Sequence, residues 1–124
     1  MCQHRGMALT IFHNPSCGTS RKVLEAIEAR GLDAEVVLYL KDPPSAATLE
    51  SLVKRLDGPV ADLVRKDPFF KELGLNADDY TKASAVVNLL VAYPRLMQRP
   101  LLDDGKRVVI ARPPAAAEAF LDSL

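Results

Sequence analysis

Two short apolar runs, ALTIF at 8–12 and AEVVLYL at 34–40, flank a stretch patterned as a helix, and this arrangement restricts the chain more than any other feature. Both runs are β-rich and of a length suited to buried strands. Between them, Val23, Leu24 and Ile27 fall on one helical face from Gly18 to Arg30, and Gly31 supplies a stop. Strands joined through a helix cannot form a hairpin. They pair in parallel, and the helix packs over one face of the sheet in a right-handed crossover.

The segments that follow extend this unit. Ser45 is placed to cap a helix in which Leu49, Leu52, Val53 and Leu56 recur at i, i+3, i+4 and i+7, and Gly58-Pro59 closes it. A further amphipathic helix is expected over 82–93, capped by Thr81, with Val86, Leu89, Leu90 and Tyr93 facing inward and Pro94 ending it. Residues 60–80 read as short helical turns and loop. In PLLDDGKRVVI two β-rich runs surround Asp104-Gly105, a strong hairpin signal, and PPAAAEAFL restarts a helix. The order β-α-β-α-(α)-β-β-α gives an α/β fold of the thioredoxin-like kind. Its four-stranded mixed sheet, with a parallel pair first and an antiparallel hairpin last, is covered by helices. With 124 residues the chain suits one domain, assigned to 8–124 behind a flexible leader at 1–7.

Charge and cysteine usage limit what such a domain does. Sixteen Lys and Arg balance sixteen Asp and Glu, which leaves no global field to hold nucleic acid or an anionic membrane. Any anion must be caught by a few local groups. No apolar run approaches membrane-spanning length, and MCQHRGM lacks a secretory signal, so the protein is expected to be cytoplasmic and, without a strong apolar patch, monomeric. Two cysteines, Cys2 and Cys17, and two histidines, His4 and His13, fit neither a disulfide framework nor a metal site. Cys2 reads as a thiol of the leader.

Cys17 is different. It stands in HNPSCGTSR, where the first strand's loop meets a helix N-terminus, and there unpaired backbone N–H groups and the helix dipole favour an anion. A thiolate at such a position is a nucleophile at neutral pH, and the same N–H groups accept oxyanions. Gly18 lets a ligand approach the backbone, Thr19 and Ser20 offer hydroxyls, and His13 and Arg21 are candidate sources of positive charge or hydrogen bonds. The bland alternative is a small buried hydrophobe, yet the polar neighbours of Cys17 argue against it. A dithiol Cys-x-x-Cys motif is absent, since Ser20 holds its second position. A phosphatase loop, with arginine six residues after the nucleophile, is also absent, since Val23 stands there.

HNPSCGTSRKVLEAI, together with VLYLKDPP (37–44), LVRKDPFFKELGL (63–75), YPRLMQRPLL (93–102) and VVIARPP (108–114), closely resembles the glutaredoxin-coupled arsenate reductases, from about Ala8 to Pro114. The resemblance implies a thioredoxin-like fold in which one cysteine and three arginines converge on an oxyanion. Carried over by motif, these are Cys17 as nucleophile and Arg65, Arg99 and Arg112 as oxyanion-binding groups, with His13, Ser20, Gly18 and Thr19 in support. It implies further that no cofactor is bound, that arsenate is the substrate, and that glutathione and glutaredoxin supply the other thiols. It also points to the Arg99-Pro100 step as a cis-proline facing the nucleophile. Two alternatives stay open: a glutathione-dependent thiol reductase of another substrate, and a non-catalytic transcription regulator of the same fold. The missing Cys-x-x-Cys counts against the second.

Overall fold

The computed structural model describes residues 9–124; the leader and Cys2 lie outside the described residues. Four strands, β1 (Leu9–Phe12), β2 (Ala34–Val37), β3 (Leu101–Asp103) and β4 (Val108–Ile110), form one sheet in the order β2-β1-β3-β4. β1 and β2 run parallel, with Ile11 opposite Val36. β3 runs antiparallel to both β1 and β4. Five α-helices cover the sheet: α1 (Gly18–Ala29), α2 (Ala46–Arg55), α3 (Pro68–Glu72), α4 (Ala83–Ala92) and α5 (Pro114–Asp122). This is the mixed, thioredoxin-like sheet that the element order implies.

Strand alternation divides the core into two layers. Leu9 and Ile11 of β1, with Leu102 of β3, pack against Val23 and Ile27 of α1 and Ala117, Phe120 and Leu121 of α5. Phe12, Leu101 and Val108 face the opposite way, onto Leu49, Leu52 and Val53 of α2 and Val86, Leu89 and Leu90 of α4. Each large side chain so buried contributes about 1.5–3 kcal/mol, which makes the two layers the main support of the sheet. Both layers hold the C-terminal end of β1 fixed, and the Cys17 loop leaves from that end.

Local chemistry sets the element ends. Gly31, at φ 68°, lets the chain turn after α1, with the Gly31 amide donating to the Glu28 carbonyl and that of Leu32 to Ile27. The Ser45 hydroxyl accepts the Thr48 amide at the start of α2. In the β3–β4 hairpin, Gly105 carries the positive φ of 92° that a right-twisted turn needs, and Asp104 Oδ1 accepts the amides of Lys106 and Arg107.

Three expectations are corrected. α4 begins after Lys82, with no side-chain cap, so Thr81 does not cap it. Tyr93 points outward, 37% exposed, and meets Phe69 edge-on. β2 ends at Val37, not 40, because the amides of Lys41 and Asp42 turn back onto the Leu38 carbonyl; Tyr39 is buried while Leu40 is exposed.

Candidate active site

After β1 the chain enters a tight loop. The Asn14 carbonyl accepts the Cys17 amide at 3.0 Å, and Asn14 Oδ1 accepts the Ser16 amide at 2.9 Å. Cys17 thereby becomes the N-cap of α1, in extended conformation, with its side chain beside the free amides of the first turn. Arg21 braces the loop by donating from Nη1 to the Pro15 carbonyl at 2.8 Å. A Cβ placed on Gly18 would meet only Arg21 Nη2, at 3.8 Å, so the backbone there has an open face.

Arg112 and Arg99, from separate parts of the chain, act on Cys17 in this loop, and Arg65 lies where it feels the charges of both. Arg112, just past β4, places Nη1 3.6 Å from Cys17 Sγ and 3.2 Å from the Arg99 carbonyl. Arg99 precedes Pro100 through a cis peptide, as expected for the step facing the nucleophile. Arg65, in the segment after residues 60–63, is fixed by Asp67 at 3.0 Å and by its own amide to the Leu96 carbonyl. Its pKa is lowered by burial first and then by the charges of Arg99 and Arg112, against the opposing charge of Asp67. Among the described residues, Arg99 Nε and Nη1 are buried with no hydrogen-bond partner. Buried, unsatisfied donors of this kind are costly, and they cost least where an anion is to be received.

Burial would push the Cys17 thiol up, but the Ser20 amide, the Arg99 guanidinium and the Thr19 amide outweigh it and hold its pKa below the ordinary value. The helix start and one arginine thus act on the same sulfur. His13 is buried, and its Nδ1 shares a 2.7 Å hydrogen bond with Ser20 Oγ, which also accepts the Asn14 amide at 3.1 Å. Burial and the charge of Arg21 lower the His13 pKa. Its contribution to the loop is this hydrogen bond, and both influences work against a positive charge on the ring. Arg21, turned to the Pro15 carbonyl, likewise serves the loop.

Two further side chains at the site were not singled out from the sequence. Tyr39 is 1% exposed, and burial raises the pKa of its phenol against the lowering influence of Arg99, the Asn14 side chain and Arg65. Asn14 is readable in hindsight as an Asx-turn residue before Pro15. Tyr39 gave no signal, since a tyrosine in an apolar run reads as core. Among the described residues no group of three His, Cys, Asp or Glu side chains converges as metal ligands, and no helix is long and apolar enough to cross a membrane.

The sequence pattern of a known family, described as the ArsC family, matches residues 12–120, from the end of β1 into α5. The chain belongs to the ArsC family. Its similarity to "Uncharacterized protein YfgD" of Escherichia coli K12 is 41% identity over 106 residues, covering 84% of this chain and 88% of that one. An arsenate reductase of Escherichia coli is 37% identical over 118 residues, which span 94% of this chain and 80% of that protein. Among solved structures, an arsenate reductase from Vibrio cholerae superposes with a TM-score of 0.81 at 30% identity, covering 95% of this chain and 98% of that one. The ArsC match takes in Cys17 and all three arginines.

Proposed function

We propose that this ArsC-family protein reduces arsenate to arsenite, with Cys17 as its single catalytic cysteine and with glutathione and glutaredoxin as electron donors. One observation carries the reading. A thiol with a lowered pKa lies at a helix N-terminus, 3.6 Å from Arg112 Nη1 and beside Arg99, whose Nε and Nη1 are buried without a partner. A multiply charged tetrahedral oxyanion supplies the acceptors these donors lack, and arginine binds such an ion through parallel charge-assisted bonds.

The chemistry follows from this placement. Arg65, Arg99 and Arg112 neutralise the arsenate oxygens, which offsets the repulsion between the anion and the Cys17 thiolate. The sulfur forms a bond to arsenic, and the displaced hydroxyl takes a proton and leaves as water. Glutathione adds next: its sulfur binds arsenic, and a second hydroxyl leaves as water with the thiol proton. The glutaredoxin thiolate then attacks the glutathione sulfur and forms a disulfide. The electron pair of the broken arsenic–sulfur bond stays on arsenic, reducing it from As(V) to As(III). Water finally cleaves the bond to Cys17 and releases arsenite. With two thiols supplied from outside, a neighbouring cysteine at position 20 is unnecessary, and Ser20 instead joins His13 to the loop.

The test is NADPH oxidation coupled through glutathione reductase and glutaredoxin, with arsenate and glutathione, run beside Cys17→Ser. Arsenate-dependent turnover lost in the variant is the expected result. Equal rates in both proteins, or turnover of glutathione mixed disulfides with none of arsenate, would replace the assignment.

A further inference from the structure

The chain around Arg65 and the chain leading to Arg99 lie side by side as a short antiparallel bridge, with Val64 opposite Met97. The Gln98 amide donates to the Leu63 carbonyl at 2.8 Å and the Arg65 amide to the Leu96 carbonyl at 2.7 Å. Leu63, Val64, Leu96 and Met97 are buried in the core layer that holds α2 and α4. Arg65, and Arg99 next after Gln98, therefore stand on backbone anchored in the core.

The Arg65 side chain needs an anchor of its own. It is 28% exposed, which leaves its guanidinium room to turn to water. Burial and the charge of Arg99, with that of Arg112 behind them, press against the charge on Arg65, and the Asp67 carboxylate is the largest influence in its favour. The two oxygens of Asp67 have separate tasks. Oδ1 accepts the Phe70 amide at 3.0 Å as the N-cap of α3, and Oδ2 lies 3.0 Å from Arg65 Nη1. Pro68 follows at the first helical position and Phe70 is buried, so the carboxylate is braced from the helix side. Lys66, between the two, does not compete for it, because its ammonium donates to the Ala61 carbonyl. With Asp67 only 17% exposed, solvent screens this pair less than it screens one on open surface.

We propose that Asp67 is a positioning residue of the arsenate site: braced by the α3 cap, its second carboxylate oxygen holds the Arg65 guanidinium toward the oxyanion against the repulsion of Arg99 and Arg112. The inference rests on the three arginines binding arsenate, as proposed above. Asp67 also subtracts some positive charge from the site, which opposes anion binding. Orientation prevails, because a guanidinium that turns away loses its charge-assisted bond to the anion outright, and one already held has less freedom left to lose when the anion arrives.

The test separates the two oxygens. Asp67→Ser keeps a capping oxygen and removes the partner of Arg65, whereas Asp67→Ala removes both. Arsenate binding to the full chain is read without glutathione or glutaredoxin, as protection of Cys17 from iodoacetamide, followed at the Cys17 peptide by mass spectrometry. Asp67→Ser should raise the half-protecting arsenate concentration about five-fold or more, with its urea midpoint unchanged. Asp67→Ala should show the same weakening and a lowered midpoint. On an Arg65→Gln background, Asp67→Ser should change the concentration by less than about two-fold, since it acts through Arg65. In case Asp67→Ser folds poorly, Asp67→Asn keeps a capping oxygen, removes the charge and should weaken arsenate in the same direction.

A half-protecting concentration that follows the cap, unchanged in Asp67→Ser and raised in Asp67→Ala, overturns the proposal. So does tighter arsenate binding in Asp67→Ser, or equal weakening with and without Arg65. Arsenate turnover by the wild type, with equal protection in wild type and Asp67→Ser, overturns the positioning role and leaves the reaction standing. The expected protection pattern without any arsenate turnover overturns the reaction and leaves the positioning role standing.

Discussion

Replacing Arg99 by methionine separates stability from function. In the protein as folded, Arg99 buries Nε and Nη1 without partners, and each buried unsatisfied donor costs about 1–3 kcal/mol. Methionine keeps much of the aliphatic stem and removes both donors. Against this gain stands the lost attraction to the Cys17 thiolate, whose lowered pKa owes part of its shift to Arg99. The two effects oppose each other, so Arg99→Met should match the wild type in stability or exceed it by about 1 kcal/mol. Function should move the other way. Two charge-assisted bonds to the oxyanion, at about 1.5–3 kcal/mol each, amount to a loss in kcat/KM for arsenate on the order of 10²- to 10⁴-fold. Urea unfolding at neutral pH and the coupled arsenate assay measure the two sides on one preparation. A variant destabilised by more than about 2 kcal/mol with kcat/KM intact would show Arg99 to be a packing residue and refute the reasoning.

Three further outcomes follow from the same geometry. The folded state holds fewer protons on Cys17 Sγ than the unfolded chain does, because the folded pKa is lowered. The stability advantage of wild type over Cys17→Ser should therefore be full above the unfolded value of about 8.5 and fade as pH falls through the folded pKa, and a difference that does not change with pH contradicts this. His13 also has a lowered folded pKa. Wild type should thus lose stability relative to His13→Asn as pH drops below about 6.5, while the variant's Cys17 alkylation midpoint rises as Ser20 loses its 2.7 Å partner; an unmoved midpoint removes the tuning role. Asp103→Ala breaks a two-pronged contact with Arg55 at 2.5 and 3.0 Å and a bond from the Gly105 amide. It should cost about 2 kcal/mol in thermal or chemical unfolding, and a loss below about 0.5 kcal/mol would show the contact to be solvent-screened.

Periodicity made the sheet and most helices legible, because β1, α1, α2 and the hairpin each bury one face and so carry a repeating pattern. Ser45 and Gly31 were readable for a related reason: their effects are local, a side-chain cap and a positive φ. Thr81, Tyr93 and the end of β2 misled where local propensity yielded to tertiary packing. Tyr93 fits an inward helical position by spacing, but it ends α4 and turns outward against Phe69. At the site, Cys17 declared itself through its place between strand and helix. Arg65, Arg99 and Arg112 did not, since each looks like an ordinary charge at a loop or strand end. Only the crossing of β3 between β1 and β4 brings Arg99 and Arg112 to Cys17, and long-range pairing of that kind leaves no local signature. Those residues came through the family resemblance. Tyr39, hidden in an apolar run, came through neither route.

An arsenate-soaked crystal, with anomalous difference maps collected at the arsenic edge, puts the central claim to its most direct trial. The expected peak lies at covalent distance from Cys17 Sγ, with oxygens toward Arg65, Arg99 and Arg112, and it disappears in Cys17→Ser. Arsenic bound at some other surface, or density unchanged by the serine, would contradict the account.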